Sequence, residues 1–445
     1  MPCLVPYSSN ALPSALPSIY TIMKKYINFT NEEKLAFKRE ANERYDEFKA
    51  RGLCINMARG NPSKAQLALS EDIFAVLKSG EDCFDSTGLD CRGYGTLAGS
   101  TDCRKLFADV LGVPFENVIA CGSSSLNLMF DFISQCMTIG IGGCEPWMKQ
   151  KNVKFIAIVP GYDRHFGIAK HFGIELVSVP MLSDGPDMDM IEELIKDDSV
   201  KGMFCVPKYQ NPTGITFSEA VIERMAKMEP AAKDFRAIWD NAYIIHDFDN
   251  DGDPTYNIFD YAKKYGHEDN FVEFASTSKI TFPGAGVAVI AASDSNVKEI
   301  LARMTYQIIS YDKINQLRHV KYFSNGKNMI AHMKKHGELL KPKFDAVARI
   351  FDRELGGLGI AEWTNPKGGY FISLNVTAAS AKKVGQLCKD AGLTLTNVGA
   401  TYPGGIDPED KNIRIAPSFP PVEELELSAE LLCIAIKKAV AEENL

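Results

Sequence analysis

Phe271-Val272-Glu273-Phe274-Ala275-Ser276-Thr277-Ser278-Lys279 is a short apolar run that ends in hydroxyls and a lysine. The same design recurs along the chain. Apolar runs at 118–120, 155–159, 176–179, 203–206, 237–239, 271–275 and 287–291 alternate with amphipathic stretches of helical period. Strands buried on both sides lose the polar-apolar alternation of a half-exposed sheet. Seven such runs between helices therefore predict an α/β fold: a large domain whose mostly parallel seven-stranded sheet lies between helices. Polar motifs begin where the runs end. Cys121-Gly122-Ser123-Ser124-Ser125 follows the first run and Pro160-Gly161-Tyr162 the second. Asn211-Pro212-Thr213-Gly214 stands just past 203–207, and Asp240-Asn241-Ala242-Tyr243 follows 237–239. In an open α/β sheet, ligands bind beyond the carboxyl ends of the strands, so these five motifs are expected to converge on one site.

Outward from that block the pattern changes. From 297 to about 355 it is helical almost without a break. Two strand-like runs (359–364 and 370–375), a helix near 377–391 and a closing helix from 421 to about 441 then read as a smaller α+β domain. Upstream, Thr30-Asn31-Glu32-Glu33 forms a capping box, in which the Thr30 oxygen accepts from the third helical amide and Glu33 reaches back. Leu35, Phe37, Ala41, Tyr45 and Phe48 follow at roughly helical spacing. The expected division is a flexible tail at 1–29, a helix or arm at 30–60 that joins the small domain, a large domain at 61–325 and a small domain at 326–445. Residues 1–22 contain no charged residue and carry Pro2, Pro6, Pro13 and Pro17. A secretory signal needs a basic leading segment and a continuous apolar stretch, and both are missing.

Composition narrows the function classes. The 445 residues are 45% hydrophobic and 24% charged, with 34 glycines and 22 prolines. That is the average of a globular protein and excludes disordered, collagen-like and coiled-coil chains. A net charge of −8 argues against a broad nucleic-acid footprint. Eleven cysteines scattered without a C-x-x-C pair fit reduced thiols in the cytoplasm. No apolar run reaches 18 residues, so no membrane helix is expected. The seven histidines have no metal-ligand spacing. Asp247-x-Asp249-x-Asp251-Gly252-Asp253 lacks the closing Glu of a calcium loop, Ile258 standing there, so it reads as a solvated loop and no metal is expected.

A lysine at a strand end, an aspartate on an apolar strand and a phosphate-type loop together meet the needs of pyridoxal 5'-phosphate. That cofactor takes an amine for a Schiff base, a counter-charge on its ring nitrogen and donors around its phosphate. In motif order over roughly 55–420, the chain resembles the fold type I, aspartate aminotransferase-like family of pyridoxal phosphate enzymes. The Arg59-Gly60-x-Pro62 and Ser276-Thr277-Ser278-Lys279-Ile280-Thr281-Phe282 patterns resemble a bacterial aspartate aminotransferase subgroup. The resemblance implies that Lys279 is the Schiff-base lysine and proton shuttle, and that Asp240 partners the pyridine nitrogen. It further implies that Tyr243 and Asn211 donate to the cofactor's phenolic oxygen and that Tyr162 stacks on the ring. Gly122, Ser123 and Ser124 would cradle the phosphate, Ser276 adding a hydroxyl and the positive end of a helix starting near Leu126 assisting, while Ser278 would also bind the cofactor. Tyr94 would reach the phosphate of the neighbouring subunit, implying a homodimer with shared sites. Arg414 would hold the substrate α-carboxylate with its guanidinium fork, with Gly60 and Asn211 beside it.

One departure stands out. Many relatives carry a phosphate-pairing arginine a little beyond Pro283-Gly284, and here Ala285-Gly286-Val287-Ala288 has no basic residue. The resemblance implies an amino-group transfer, most simply from L-aspartate to 2-oxoglutarate. Arg59, Arg92, His165 and Lys208 are all conceivable contacts to the substrate side chain. An alanine-, kynurenine- or aromatic-type range and a lyase or decarboxylase on the same cofactor stay open. A regulator built on this fold would carry a basic DNA-binding module ahead of it, and only about thirty uncharged or weakly patterned residues stand there.

Overall fold

Each apolar run of the large block becomes a strand. In the computed structural model, which describes residues 24–444, the main sheet contains β1 (Val118–Ala120), β2 (Lys154–Val159), β3 (Glu175–Leu182), β4 (Val200–Cys205), β5 (Arg236–Asp240), β6 (Phe271–Ser276) and β7 (Ala288–Ala292). The spatial order is β1-β7-β6-β5-β4-β2-β3. Strands β3, β2, β4, β5 and β6 are mutually parallel, and β7 runs antiparallel to both β6 and β1. Six carboxyl ends thus share one edge, the geometry that gathers the polar motifs. The sheet has one strand more than expected: Gly185–Pro186 pairs antiparallel with the end of β3. Two residues after a Ser183-Asp184 turn are too short to leave a pattern.

Burial explains why the runs are continuously apolar. Ile238 of β5 packs with Leu128, Phe132 and Phe274 on one face of the sheet. Its neighbours Ala237 and Trp239 pack with Phe217 and Met225 on the other. Successive side chains enter opposite cores, so every position must be apolar.

The helix Asn31–Ala50 begins at the expected capping box: Glu33 N–H donates to Thr30 Oγ1 at 3.2 Å and Thr30 N–H to Glu33 Oε2 at 2.6 Å. Its Tyr45 and Phe48 join one apolar cluster with Leu340 to Leu355 and with Leu425 to Val440 of the closing helix Val422–Glu443. Fully burying each such side chain stabilises by about 1.5–3 kcal/mol. The stretch 1–29 does not behave as one tail. Residues 1–23 lie outside the described residues, whereas Tyr26 is buried, its N–H donates to Leu358 O at 2.9 Å, and its ring meets Phe29 and Phe37. The helix Gly326–Leu355 spans two cores. Met329 and Met333 pack with Leu106 and Phe107 of the helix Thr101–Leu111, and Leu340 onwards packs against a three-stranded sheet of Ala361–Trp363, Ile372–Val376 and Asn412–Ile415. No described helix is long and apolar enough to cross a membrane.

Candidate active site

Strand β5 is buried along its whole length and delivers Asp240 at its end, in register with Phe274 of β6. Asp240 is 4% exposed. His165 Nε2–H donates to its Oδ2 at 3.0 Å, and its Oδ1 has no partner among the described residues. His165 comes from the helix Asp163–His171 and is itself stacked on Phe204, with centroids 4.7 Å apart and planes within 8°. Tyr162 packs edge-on against His165. Burial, then the Asp240 carboxylate, pushes the Tyr162 phenol up to about 12.

Lys279 lies in the turn after β6, and its Nζ stands 4.9 Å from the centroid of the Tyr243 ring. Burial lowers the Lys279 pKa while Asp240 opposes the shift, which favours the neutral, nucleophilic amine. Tyr243 moves the other way. Burial, then Tyr162 and Asp240, hold its phenol protonated as a donor.

The small sheet supplies the opposite wall. Arg414 sits mid-strand in register with Ser373. Its Nη1 donates to Asn211 Oδ1 at 3.2 Å and lies 3.4 Å from Asp163 Oδ1, and its Nε donates to Thr396 Oγ1 at 3.3 Å. The guanidinium centre stands 5.1 Å from the Phe371 ring centroid. Phe371 owes its place to two glycines. A Cβ on Gly60 would lie 2.5 Å from the Phe371 ring, and one on Gly368 would lie 2.3 Å from the Tyr209 ring. Close passage of backbone over rings demands glycine at both positions.

On the far side, Cys121 N–H donates to Ala288 O at 2.8 Å and Ala288 N–H returns to Gly122 O at 2.6 Å. Ala288 is also in register with Ser276. Gly122 and Ser276 therefore flank one strand, roughly 10 Å apart at two strand spacings. Ser124 N-caps the helix Ser125–Thr138, its oxygen accepting from Asn127 N–H at 3.4 Å, while Ser123 is exposed. Ser276 and Ser278 hydroxyls are 2.9 Å apart. Where relatives were expected to carry an arginine, the buried Val287 donates its N–H to Thr277 Oγ1 at 2.9 Å.

Arg414 is hydrogen-bonded to Asn211, Lys279 stands over the Tyr243 ring, and Asp240 lies close enough to shift the pKa of both and Tyr162 that of Tyr243, with the serine loop one strand away. Tyr94 stays apart. It is 85% exposed, on a loop fastened by Lys313 Nζ to the carbonyls of Gly93 and Gly95 at 2.8 and 3.0 Å. Two candidate side-chain contacts are corrected. His165 is buried on Asp240, and Lys208 is buried against Asp247, Ile244 O and Thr255, so neither is free to meet a substrate. Arg92 is paired with Asp90, whereas Arg59 makes no ion pair among the described residues. Asp247, half-buried, also accepts from Tyr209, while Asp249 to Asp251 of the same stretch are exposed, as expected of a solvated loop. Phe371 belongs to the Gly368-Gly369-Tyr370-Phe371 stretch that the family resemblance implies faces the site, whereas Asp163 and Thr396 escaped sequence reasoning because no motif surrounds them.

Several proteins similar to this chain carry the name aminotransferase. An aspartate aminotransferase of Corynebacterium glutamicum is 44% identical over 416 residues, covering 93% of this chain and 96% of that one. The crystal structure of an aspartate transaminase from the same organism superposes with a TM-score of 0.92 at 43% identity, covering 95% and 99%. At 19% identity, an α-aminoadipate aminotransferase from Thermus thermophilus, solved with a phosphopyridoxyl-leucine adduct, shares the fold with a TM-score of 0.71 and coverage of 91% and 98%. The family profile described as aspartate amino-transferase matches residues 29–445. With the fold, the strand-end cluster and this match in agreement, the chain belongs to the aspartate amino-transferase family of aminotransferases.

Proposed function

We propose that this aminotransferase binds pyridoxal 5'-phosphate on Lys279 and moves the amino group of L-aspartate to 2-oxoglutarate. The buried Asp240 carboxylate carries the cofactor assignment. A carboxylate oxygen sealed in the interior without a donor is costly. Asp240 Oδ1 is such an oxygen, and a protonated ring nitrogen is the group that satisfies it. The bound cofactor supplies an electron sink for the substrate's Cα–H electrons.

The chain's own residues do the rest. His165 orients the Asp240 carboxylate from behind. The Tyr243 phenol, kept protonated by burial, and Asn211 would donate to the cofactor's phenolic oxygen. The Lys279 amine, whose proton burial makes easier to lose, moves the proton at the substrate Cα. Arg414, braced by Asn211 and Thr396, offers its fork to the α-carboxylate. The Ser125–Thr138 helix start and the hydroxyls of Ser123, Ser276 and Ser278 would hold the phosphate. The aspartate preference rests on the 44% identity to the Corynebacterium glutamicum enzyme. The exposed Tyr94, held out on its loop, supports a homodimer in which it completes the partner's site. The ten described cysteines are all unpaired, which suits work in the cytoplasm.

Titration with pyridoxal phosphate tests the assignment. The wild type is expected to turn yellow and Lys279→Ala to stay colourless, with activity lowered by more than about 1000-fold. Bleaching of the band by single amino acids then reads the donor. A colourless wild type refutes the cofactor, and bleaching by aromatic amino acids but not by aspartate or glutamate refutes the substrate.

A further inference from the structure

Against the turn that carries Lys279 lies a column of polar side chains that the reaction as described does not use. Gln66 is fully buried in the short helix Lys64–Ala68. Its Oε1 accepts from Ser63 N–H at 3.0 Å, which turns its amide nitrogen inward. That nitrogen donates to Tyr370 OH at 2.9 Å and meets His336 Nδ1 at 3.3 Å. His336 and His332 lie one turn apart on the helix Gly326–Leu355, with their Nε2 atoms 3.2 Å apart. His332 Nε2 in turn stands 3.1 Å from Ser70 Oγ and 3.2 Å from Ile280 O, and Ser70 Oγ donates to the same carbonyl at 3.3 Å. Tyr370 OH makes a long contact of 3.5 Å to Lys279 O.

Proton counting gives the column a direction. With Gln66 Nε2 donating, His336 Nδ1 must accept, so the proton of the neutral imidazole sits on Nε2 and is given to His332. His332 Nε2 then accepts, so its 3.2 Å approach to Ile280 O carries no hydrogen bond and the Ser70 hydroxyl alone donates to that carbonyl. The Tyr370 oxygen receives from Gln66, so its own O–H is aimed at Lys279 O. Burial favours the neutral form of both histidines, which this pattern requires. The amides of the turn are satisfied locally, Ile280 and Thr281 N–H both donating to Thr277 O at 2.9 Å. Its two carbonyls, at 279 and 280, are met by Tyr370 and Ser70 of the column, which draws on the 63–70 segment, the long helix and the strand-leading Tyr370.

We propose that Gln66, His336, His332, Ser70 and Tyr370 are positioning residues for Lys279, holding the carbonyl side of its turn so that the amine leaves in one direction over Tyr243. The proposal rests on the assignment of Lys279 as the reacting amine. The test compares His336→Leu, which removes the acceptor for Gln66, with His336→Asn, whose amide oxygen restores one near Nδ1. In the cofactor-free protein, amide hydrogen exchange over residues 278–282 should be at least about fivefold faster in His336→Leu and near wild type in His336→Asn. In the loaded enzyme, His336→Leu should shift the pH midpoint of the visible band and lower kcat about 10- to 100-fold with KM for the amino donor unchanged, as a slight misplacement of a reacting group does. His336→Asn should recover most of both. Tyr370→Phe removes one oxygen without changing shape and serves the same exchange measurement if His336→Leu does not fold. Exchange at the wild-type rate in the folded variants overturns the proposal, as does an unmoved midpoint with unchanged kcat. A wild type that takes up no cofactor strikes the functional assignment instead, and exchange in the cofactor-free chain still reads the column.

Discussion

Arg414 shows how much a single side chain is asked to do. It is braced at Nε by Thr396, shared at Nη1 between Asn211 and Asp163, and backed by the Phe371 ring, so its remaining edge faces the site in one orientation. Lysine keeps the charge and loses the fork. Arg414→Lys is expected to raise KM for the amino donor about 10- to 100-fold, the equivalent of about 1.5–3 kcal/mol for a hydrogen bond to a charged group, with a smaller fall in kcat. Steady-state kinetics check it, and an unchanged KM removes Arg414 from carboxylate binding. At this scale the sequence is readable where chemistry sits next to pattern. Lys279 and Asp240 stand at the ends of apolar runs and were legible. The partner of Asp240 was not, because His165 lies 75 positions away and looks like any histidine on a helix.

Elements were legible where their signals are local. The Thr30–Glu33 capping box and the seven apolar runs are written within a few residues of where they act. The Gly185–Pro186 strand was missed because two residues carry no period. Lys24–Phe29 was read as tail because its anchor, Leu358 O, is more than 300 residues downstream. The crossing of the 368–371 strand lead over Tyr209 is a further contact of this kind. It matters to the site because it delivers Tyr370 and Phe371. Gly368→Ala places a methyl 2.3 Å from the Tyr209 ring and 2.4 Å from His246 O. Neither can retreat easily, since Tyr209 is held by Asp247 and Asp253 N–H. A loss of about 1–3 kcal/mol is expected, read as a lower denaturant midpoint with an unchanged m value. A midpoint equal to wild type shows that the crossing has room.

Over the whole molecule, buried histidines set the response to acid. Burial lowers the pKa of His246, His332, His319 (to about 4) and His336 (to about 3). Lys279 and Lys208 face His246, Arg318 faces His319 and Lys335 faces His332, each disfavouring a further positive charge. A depressed histidine pKa leaves the folded state neutral where the unfolded chain binds a proton. Stability is therefore full above the ordinary value near 6.5 and falls as pH drops through the window between about 6.5 and about 3–4. Glu273 opposes this, since burial raises it to about 7 and the folded state holds its proton longer. Four groups against one leave a net uptake of protons on unfolding below about pH 6.5. Denaturant midpoints measured from pH 8 to pH 5 should fall steadily below about 6.5. A flat profile contradicts the burial of these rings.

The sequence by itself determined the class of fold, the carboxyl-edge location of the site and the residue types gathered there. Each of these follows from backbone periodicity and short-range caps, whose energetics act between near neighbours. Only the tertiary structure decided the pairings: Asp240 with His165, Arg414 with Asn211 and Asp163, Lys208 with Asp247, and the Lys279 turn with a column drawn from three distant segments. The reason is burial. Which polar group meets which is settled by the need to satisfy charges and hydrogen bonds once water is excluded, and that need arises only after packing brings remote residues together.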